Sequence, residues 1–265
     1  MGERHRGLPN AAAMYELHTL LQGYPGKSVY HGGLGWSTVA LLRSAKHSVL
    51  LDTGHYMHRT PLQERLRECG LHPEDIDAIA ISHLHWDHCM NFPLFPKAHV
   101  FVGRAELEWA QAQAPDAFPI AEIHVEKLAS MKNVSLLEDG DVFLPGLEAI
   151  ATPGHTPGHM GFAAKHAGGE YIYTGDAIKN SAELCSQRVD MTLDLPRSLD
   201  AIRRIRERAA SNPENIVVFG HDRCCSFDGV HVREREPLRC AITARLTEDF
   251  EDLTTFDLVK PGVRA

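Results

Sequence analysis

The chain of 265 residues is expected to fold as an α/β protein in which two packed sheets are flanked by helices. Three observations lead there. Short apolar, strand-like runs open each half of the sequence, and helical patterns recur between them. Several of these runs end in an acid or a histidine, the usual setting for a site built on strand ends. The composition, 43% hydrophobic and 23% charged, supplies a substantial core for one soluble domain over 1–265, with 223–265 as a C-terminal extension whose structure the sequence leaves open.

Taken in order, the apolar and β-branched runs at 38–43 and 48–51 read as strands, the second closing in Leu50-Leu51-Asp52-Thr53-Gly54. A helix is expected over about 61–69 and a strand over 77–81, which feeds a histidine-rich loop. A strand at 98–102 and a helix at about 104–113 follow. Residues 114–130, with Pro115, Phe118 and Pro119, look irregular and read either as a loop covering substrate or as a plain surface connection. Strands are expected near 134–137, 147–151, 160–164 and 170–173. Leu199, Ile202, Ile205 and Ala209 recur at helical spacing among Arg203, Arg204, Arg206, Glu207 and Arg208, giving an amphipathic helix with a solvated basic face. A strand from Ile216 ends near His221, and beyond Asp222 the chain turns charged, with weak helical character over 238–246.

The most informative run is His83-Leu84-His85-Trp86-Asp87-His88. Four metal-binding side chains in six residues are hard to explain as packing. Alternate residues of an extended chain share a face, so His83 and His85 can aim at one point if the strand direction persists, and a turn would bring Asp87 and His88 to a neighbouring one. Imidazole and carboxylate without thiolate suit zinc, and also manganese, iron or cobalt. Further ligands follow at strand ends: His155 in the turn Thr152-Pro153-Gly154-His155, Asp176 after Tyr171-Ile172-Tyr173-Thr174-Gly175, and His221 after Ile216 to Gly220.

In order and type these motifs resemble the metallo-β-lactamase-fold hydrolase superfamily, over roughly Trp36 to Asp222. The resemblance implies a four-layer αββα sandwich with two divalent metals at one edge, zinc first and manganese or iron as alternatives. It implies that His83, His85 and His155 hold one metal, that Asp87, His88 and His221 hold the second, and that Asp176 bridges them. Asp52 either orients a ligand from behind or is a turn residue at a strand end.

Such a pair of cations, about 3.5 to 4 Å apart, can share a hydroxide and polarise a carbonyl, providing nucleophile and electrophile without serine or cysteine. Asp87 is expected to hold the hydroxide's proton and pass it to the leaving group, which makes it the catalytic acid–base. The expected reaction is hydrolysis of an ester-like carbonyl, with a lactone first. The His83 to Cys89 run and the Val217 to Asp222 ending look most like the N-acyl homoserine lactonase branch. In that branch a tyrosine three residues after the bridging aspartate helps hold the substrate carbonyl; here Lys179 stands there, as a substrate-binding candidate or a solvated lysine. Glyoxalase-type thioesterase, β-lactam hydrolase and phosphodiesterase are the alternatives, and a metal-binding ligand sensor without turnover is the non-enzymatic one.

The expected partner is a small molecule. A net charge of −8 argues against nucleic acid and anionic membrane, both of which need a positive field. No segment reads as a signal peptide or a membrane span, so a cytoplasmic location is expected. The C-terminal extension either wraps the domain or pairs with a second copy in a homodimer. Cys69, Cys89, Cys185, Cys224, Cys225 and Cys240 read as reduced thiols, Cys89 as a small buried residue, and Cys224-Cys225 as lacking the second pair of a zinc ribbon. The stretch His31-Gly32-Gly33-Leu34-Gly35 lacks the lysine and the strand-to-helix setting of a P-loop. His31, on a Gly-rich loop that can approach the metals, His55, which can face substrate after the Asp52 strand end, and His159, bonded within its own turn, are further candidates for the cleft, each read as structural before catalytic.

Overall fold

The computed structural model describes residues 14–30 and 32–259. The first half runs β1 (Glu16–Leu21), a short hairpin of β2 (Lys27–Ser28) and β3 (Gly32–Gly33), β4 (Val39–Arg43), β5 (Ser48–Leu51), α1 (Arg59–Glu68), β6 (Ala78–Ile81), α2 (Trp86–Cys89), β7 (His99–Gly103), α3 (Arg104–Gln111), α4 (Glu122–Ser130) and β8 (Val134–Leu137). The second runs β9 (Val142–Leu144), β10 (Leu147–Ala151), β11 (Met160–Lys165), β12 (Glu170–Gly175), α5 (Ser181–Ser186), α6 (Leu195–Ala210), β13 (Ile216–Phe219), β14 (Cys225–Phe227) and β15 (Val232–Glu234), and a hairpin of β16 (Ala241–Ala244) and β17 (Thr254–Asp257) closes it.

One sheet has the order β1-β4-β5-β6-β7-β8 and the other β15-β14-β13-β12-β11-β10-β9. Strand parity sorts the buried side chains into three cores. Leu41, Ile79, Ile81, Val100 and Val102 face outward onto Leu62 and Leu66 of α1, Leu107 of α3 and Val125 and Leu128 of α4. Ala40, Leu42, Leu51, Ala78, Ala80 and Phe101 face inward onto Leu147, Phe162, Tyr173 and Val218 of the other sheet. That sheet's outer face, Ile172, Val217 and Phe219, packs on Leu184 of α5 and Ile202, Ile205 and Ala209 of α6. Three cores between four layers make an αββα sandwich. Central strands are buried on both faces, which is why β6 reads Ala-Ile-Ala-Ile without polar alternation.

The basic face of α6 is only partly solvated. Arg203 pairs with Asp200 and Glu207 in solvent, but half-buried Arg208 reaches Glu148 of β10 at 2.7 Å and Glu170 of β12 at 2.8 Å, tying the helix across two strands. Two expectations are corrected. Residues 122–130 form α4 rather than continuing the irregular stretch, because Val125 and Leu128 find a buried seat that propensity does not register. The helix expected over 238–246 is instead β16, whose Ile242 and Thr243 pair with Phe256 and Thr255 of β17. β-branched residues on both partners favour the hairpin. β1, antiparallel to β4, had no expectation at all.

Candidate metal centre

Every ligand sits where a strand runs out at the same edge of the sandwich. β6 stops at Ile81 and the chain leaves through Ser82 into His83; His85, in extended backbone, is the N-cap of α2, whose single turn swings Asp87 and His88 round. β12 delivers Asp176 directly, β10 leads into the turn with His155, and β13 stops two residues before His221. The residue before Asp176 is Gly175, with φ +47°; a Cβ there would lie 2.8 Å from both His159 Nε2 and Ser82 Oγ, so only glycine lets the acid approach this closely.

Three groups of donor atoms result: His83, His85 and His155; His83, His88 and Asp176; and Asp87, His88 and His221. Within each, the ligand atoms lie within 4.8 Å of one another. In the first group His85 Nδ1 is 3.0 Å from His155 Nε2. Asp176 divides its carboxylate, Oδ2 standing 3.4 Å from His155 Nε2 and Oδ1 3.2 and 3.1 Å from His88 and His221 Nε2. Asp87 Oδ2 is 3.4 Å from His221 Nε2 and 3.5 Å from His88 Nε2. The structure thus brings together all seven residues expected as ligands.

The second nitrogens explain the orientation. His88 Nδ1–H donates to Asp52 Oδ2 at 2.7 Å, His155 Nδ1–H to the Met191 carbonyl at 2.9 Å and His221 Nδ1–H to the Trp36 carbonyl at 2.9 Å. Ser82 Oγ donates to Asp52 Oδ2 at 2.7 Å and so accepts from His83 Nδ1 at 3.0 Å. In each of these rings Nε2 is left facing the cluster. Buried His83 Nε2, His88 Nε2 and Asp176 Oδ1 have no aligned hydrogen-bond partner among the described residues, an arrangement that is costly for a protein and natural for a metal site. Nitrogen and carboxylate donors of this kind fit two divalent cations.

Asp52 is both a strand-end residue, with φ 55°, and the orienter of His88. Its carboxylate also accepts from Ser82 N–H at 2.7 Å and from Tyr173 O–H at 2.7 Å.

Charge is distributed unevenly. Burial, then neighbouring histidines, holds His83 and His85 well below the usual histidine range, and burial lowers His155 as well, against the pull of Asp176. Burial also opposes a charged His88, but Asp87, Asp176 and Asp52 outweigh it and hold its pKa well above that range; Asp176 and Asp87 raise His221 in the same way. Burial works against an ionised Asp176, yet His221, His88 and His155 keep its carboxyl well below the ordinary carboxylate range.

Lys179 lies beside the first group, with its ammonium buried. Its side chain is 11% exposed, and the ammonium stands 3.1 Å from Glu183 Oε1 without the alignment of a hydrogen bond. Its charge is felt at His85 and His155. On the other side, the 114–121 segment rests on the ligand loop: Pro119 accepts from Trp86 N–H at 3.0 Å, and the Trp86 ring lies 6.5 Å from that of Phe118, which is 80% exposed.

His159 does more than brace its turn. It bonds Thr152 Oγ1 through Nδ1 at 2.8 Å and accepts the Asp176 N–H at Nε2 at 3.0 Å, fixing the backbone of the dividing carboxylate. His55 stands edge-on to Trp86 at 4.5 Å and belongs to none of the donor groups, and His31 lies outside the described residues. Cys89 is buried in the outer core, and burial pushes the thiols of Cys224 and Cys225 up to about 12, so neither offers a thiolate.

Residues 32–221 match the family model of the Metallo-beta-lactamase superfamily. The chain belongs to that superfamily. Among curated members, an N-acyl homoserine lactonase from a Bacillus species is 31% identical over 158 residues, 59% of this chain and 60% of the relative. The chain thus matches about 60% of the length of such relatives. A solved N-acyl homoserine lactone hydrolase, with the product N-hexanoyl-L-homoserine bound at its catalytic metal centre, superposes with a TM-score of 0.62 at 22% identity, covering 80% of this chain and 94% of its own. AidC, a dizinc quorum-quenching lactonase, gives 0.59 at 17%, covering 69% and 71%. At these identities the superpositions establish the metallo-β-lactamase fold.

Sequence reasoning missed Glu106, Ser82, Tyr173 and the carbonyls of Trp36 and Met191. Carbonyls leave no trace in residue identity, and Glu106 looks like one more helix-surface acid.

Proposed function

We propose that the protein is a metal-dependent hydrolase of ester-like carbonyls, with a lactone as its substrate class. The observation that carries this reading is the divided carboxylate of Asp176, one oxygen toward His155 and the other toward His88 and His221, which suits two cations held side by side. When bound, the metal pair supplies Lewis acidity that brings water's pKa toward neutrality and polarises a carbonyl. Zinc is the metal assigned, with manganese and iron as the elements an analysis must distinguish from it.

This chain's own residues have separate tasks. Asp87, at 18% exposure, is the most open carboxylate of the cluster and can take a proton from the attacking water and return it to the leaving alkoxide. The Lys179 ammonium, buried beside the first group and not aligned on Glu183, can turn to donate to a substrate carbonyl or carboxylate. Trp86 and Phe118 offer apolar surface for the remainder of the substrate. The lactone class is supported by the names of the curated relatives.

The test is elemental analysis of protein purified without added metal, joined to pH-stat hydrolysis of lactones, esters, thioesters, β-lactams and phosphodiesters. Two metals per chain with lactone opening supports the reading. Full loading with turnover of another panel member redirects the substrate class, and full loading without any turnover favours a ligand sensor. Lys179→Ala is expected to raise KM several-fold for an anionic lactone with little change in kcat; an identical kinetic profile removes Lys179 from the substrate site.

A further inference from the structure

Glu106, in the first turn of α3, is a completely buried acid that the ligand set does not use. Among the described residues no cation pairs with it. Oε1 instead accepts the Leu84 N–H at 2.9 Å and Oε2 the Thr156 O–H at 2.7 Å, and the Gly158 N–H lies close enough to favour the ionised carboxylate. Leu84 separates His83 from His85, and Thr156 follows His155. A single side chain therefore holds both loops that carry the first ligand group, one from each half of the molecule. Contact is close enough that a Cβ on Gly158 would fall 1.9 Å from Glu106 N.

The Asp87/His88/His221 group is held by other means: His88 by Asp52, His221 by the Trp36 carbonyl, and the Asp87 carbonyl by the Ser37 hydroxyl. None of these passes through Glu106. We propose that Glu106 is a positioning residue that clamps the His83/His85/His155 group and sets its metal affinity separately from that of Asp87/His88/His221. The proposal rests on the metal-centre reading and is independent of which bond is hydrolysed.

Glutamine is the discriminating replacement. It preserves shape but has one acceptor oxygen where three donors converge; the threonine hydroxyl can turn to accept, whereas a backbone N–H cannot. Glu106→Gln crystals equilibrated with limiting zinc, read by anomalous scattering at each position, should show affinity lost by about 10- to 100-fold at the first group only, the range typical of partners that orient metal ligands. Amide exchange on the metal-free variant should speed up at Leu84 and Gly158, with Thr53 and Asn91 unchanged. Equal loss at both positions would mark Glu106 as a general packing residue and overturn the proposal, as would unchanged occupancy. Glu106→Ala should show the same asymmetry more strongly; should it fail to fold, the isosteric glutamine variant decides alone.

Discussion

Asp52 shows how much one residue does here. Four donors reach its two oxygens, from Ser82 twice, Tyr173 and His88, across gaps of up to 121 positions in sequence. Asp52→Asn would set an NH2 group against donors, and metal affinity measured by chelator competition is expected to fall about 10- to 100-fold with the fold retained. Protonation gives a second prediction. His88 and His221 have raised pKa values, so the metal-free protein holds protons there to higher pH than an ordinary histidine does, and a metal must displace them. Metal affinity should therefore rise with pH, and titration in weak buffer should release protons from the Asp87/His88/His221 group but not from the first, whose histidines are already neutral. A metal titration without any proton release would contradict this. Histidines and aspartates at strand ends were readable from the sequence because type and spacing mark them. Glu106 was not, because its meaning lies in contacts 22 and 50 residues away.

At the scale of elements, legibility followed the concentration of apolar residues. Residues 48–51, 134–137 and 147–151 were read with their bounds as found, since short runs made mostly of Val, Leu, Ile and Ala between polar or turn residues admit few alternatives. Where the pattern was diluted the reading failed. In α4, β-branched Ile123 and Val125 weaken helix propensity, and packing of Val125 and Leu128 decides the outcome. In β16 the charged surroundings hid a β-branched pair. β6 carries the heaviest structural duty, since it sits between two parallel neighbours and aims the ligand run. Ile79→Ala would empty a fully buried site against the helical layer, and unfolding by denaturant should show a loss of about 2 to 5 kcal/mol. A loss below about 1 kcal/mol would mean that the layer closes over the gap.

Across the whole molecule, the ligands come from both sheets: His83, His85, Asp87 and His88 follow β6 of one, and His155, Asp176 and His221 follow strands of the other. A cation shared among them joins the two halves, and only the folded chain offers it that set. Free metal at about 100 times its dissociation constant is expected to stabilise the protein by about 2.7 kcal/mol, seen as a rise in Tm that a chelator reverses. A Tm indifferent to metal would argue that the halves are fixed by their apolar cores alone. The same placement gives the core between the sheets a second role. Ala78, Ala80, Leu51 and Phe162 are the thickness of a spacer, and that thickness is the gauge on which His88 and Asp176 are set apart. Volume added or removed there, far from any substrate, would retune the reach of the site in the way that changing a shim resets two machined faces.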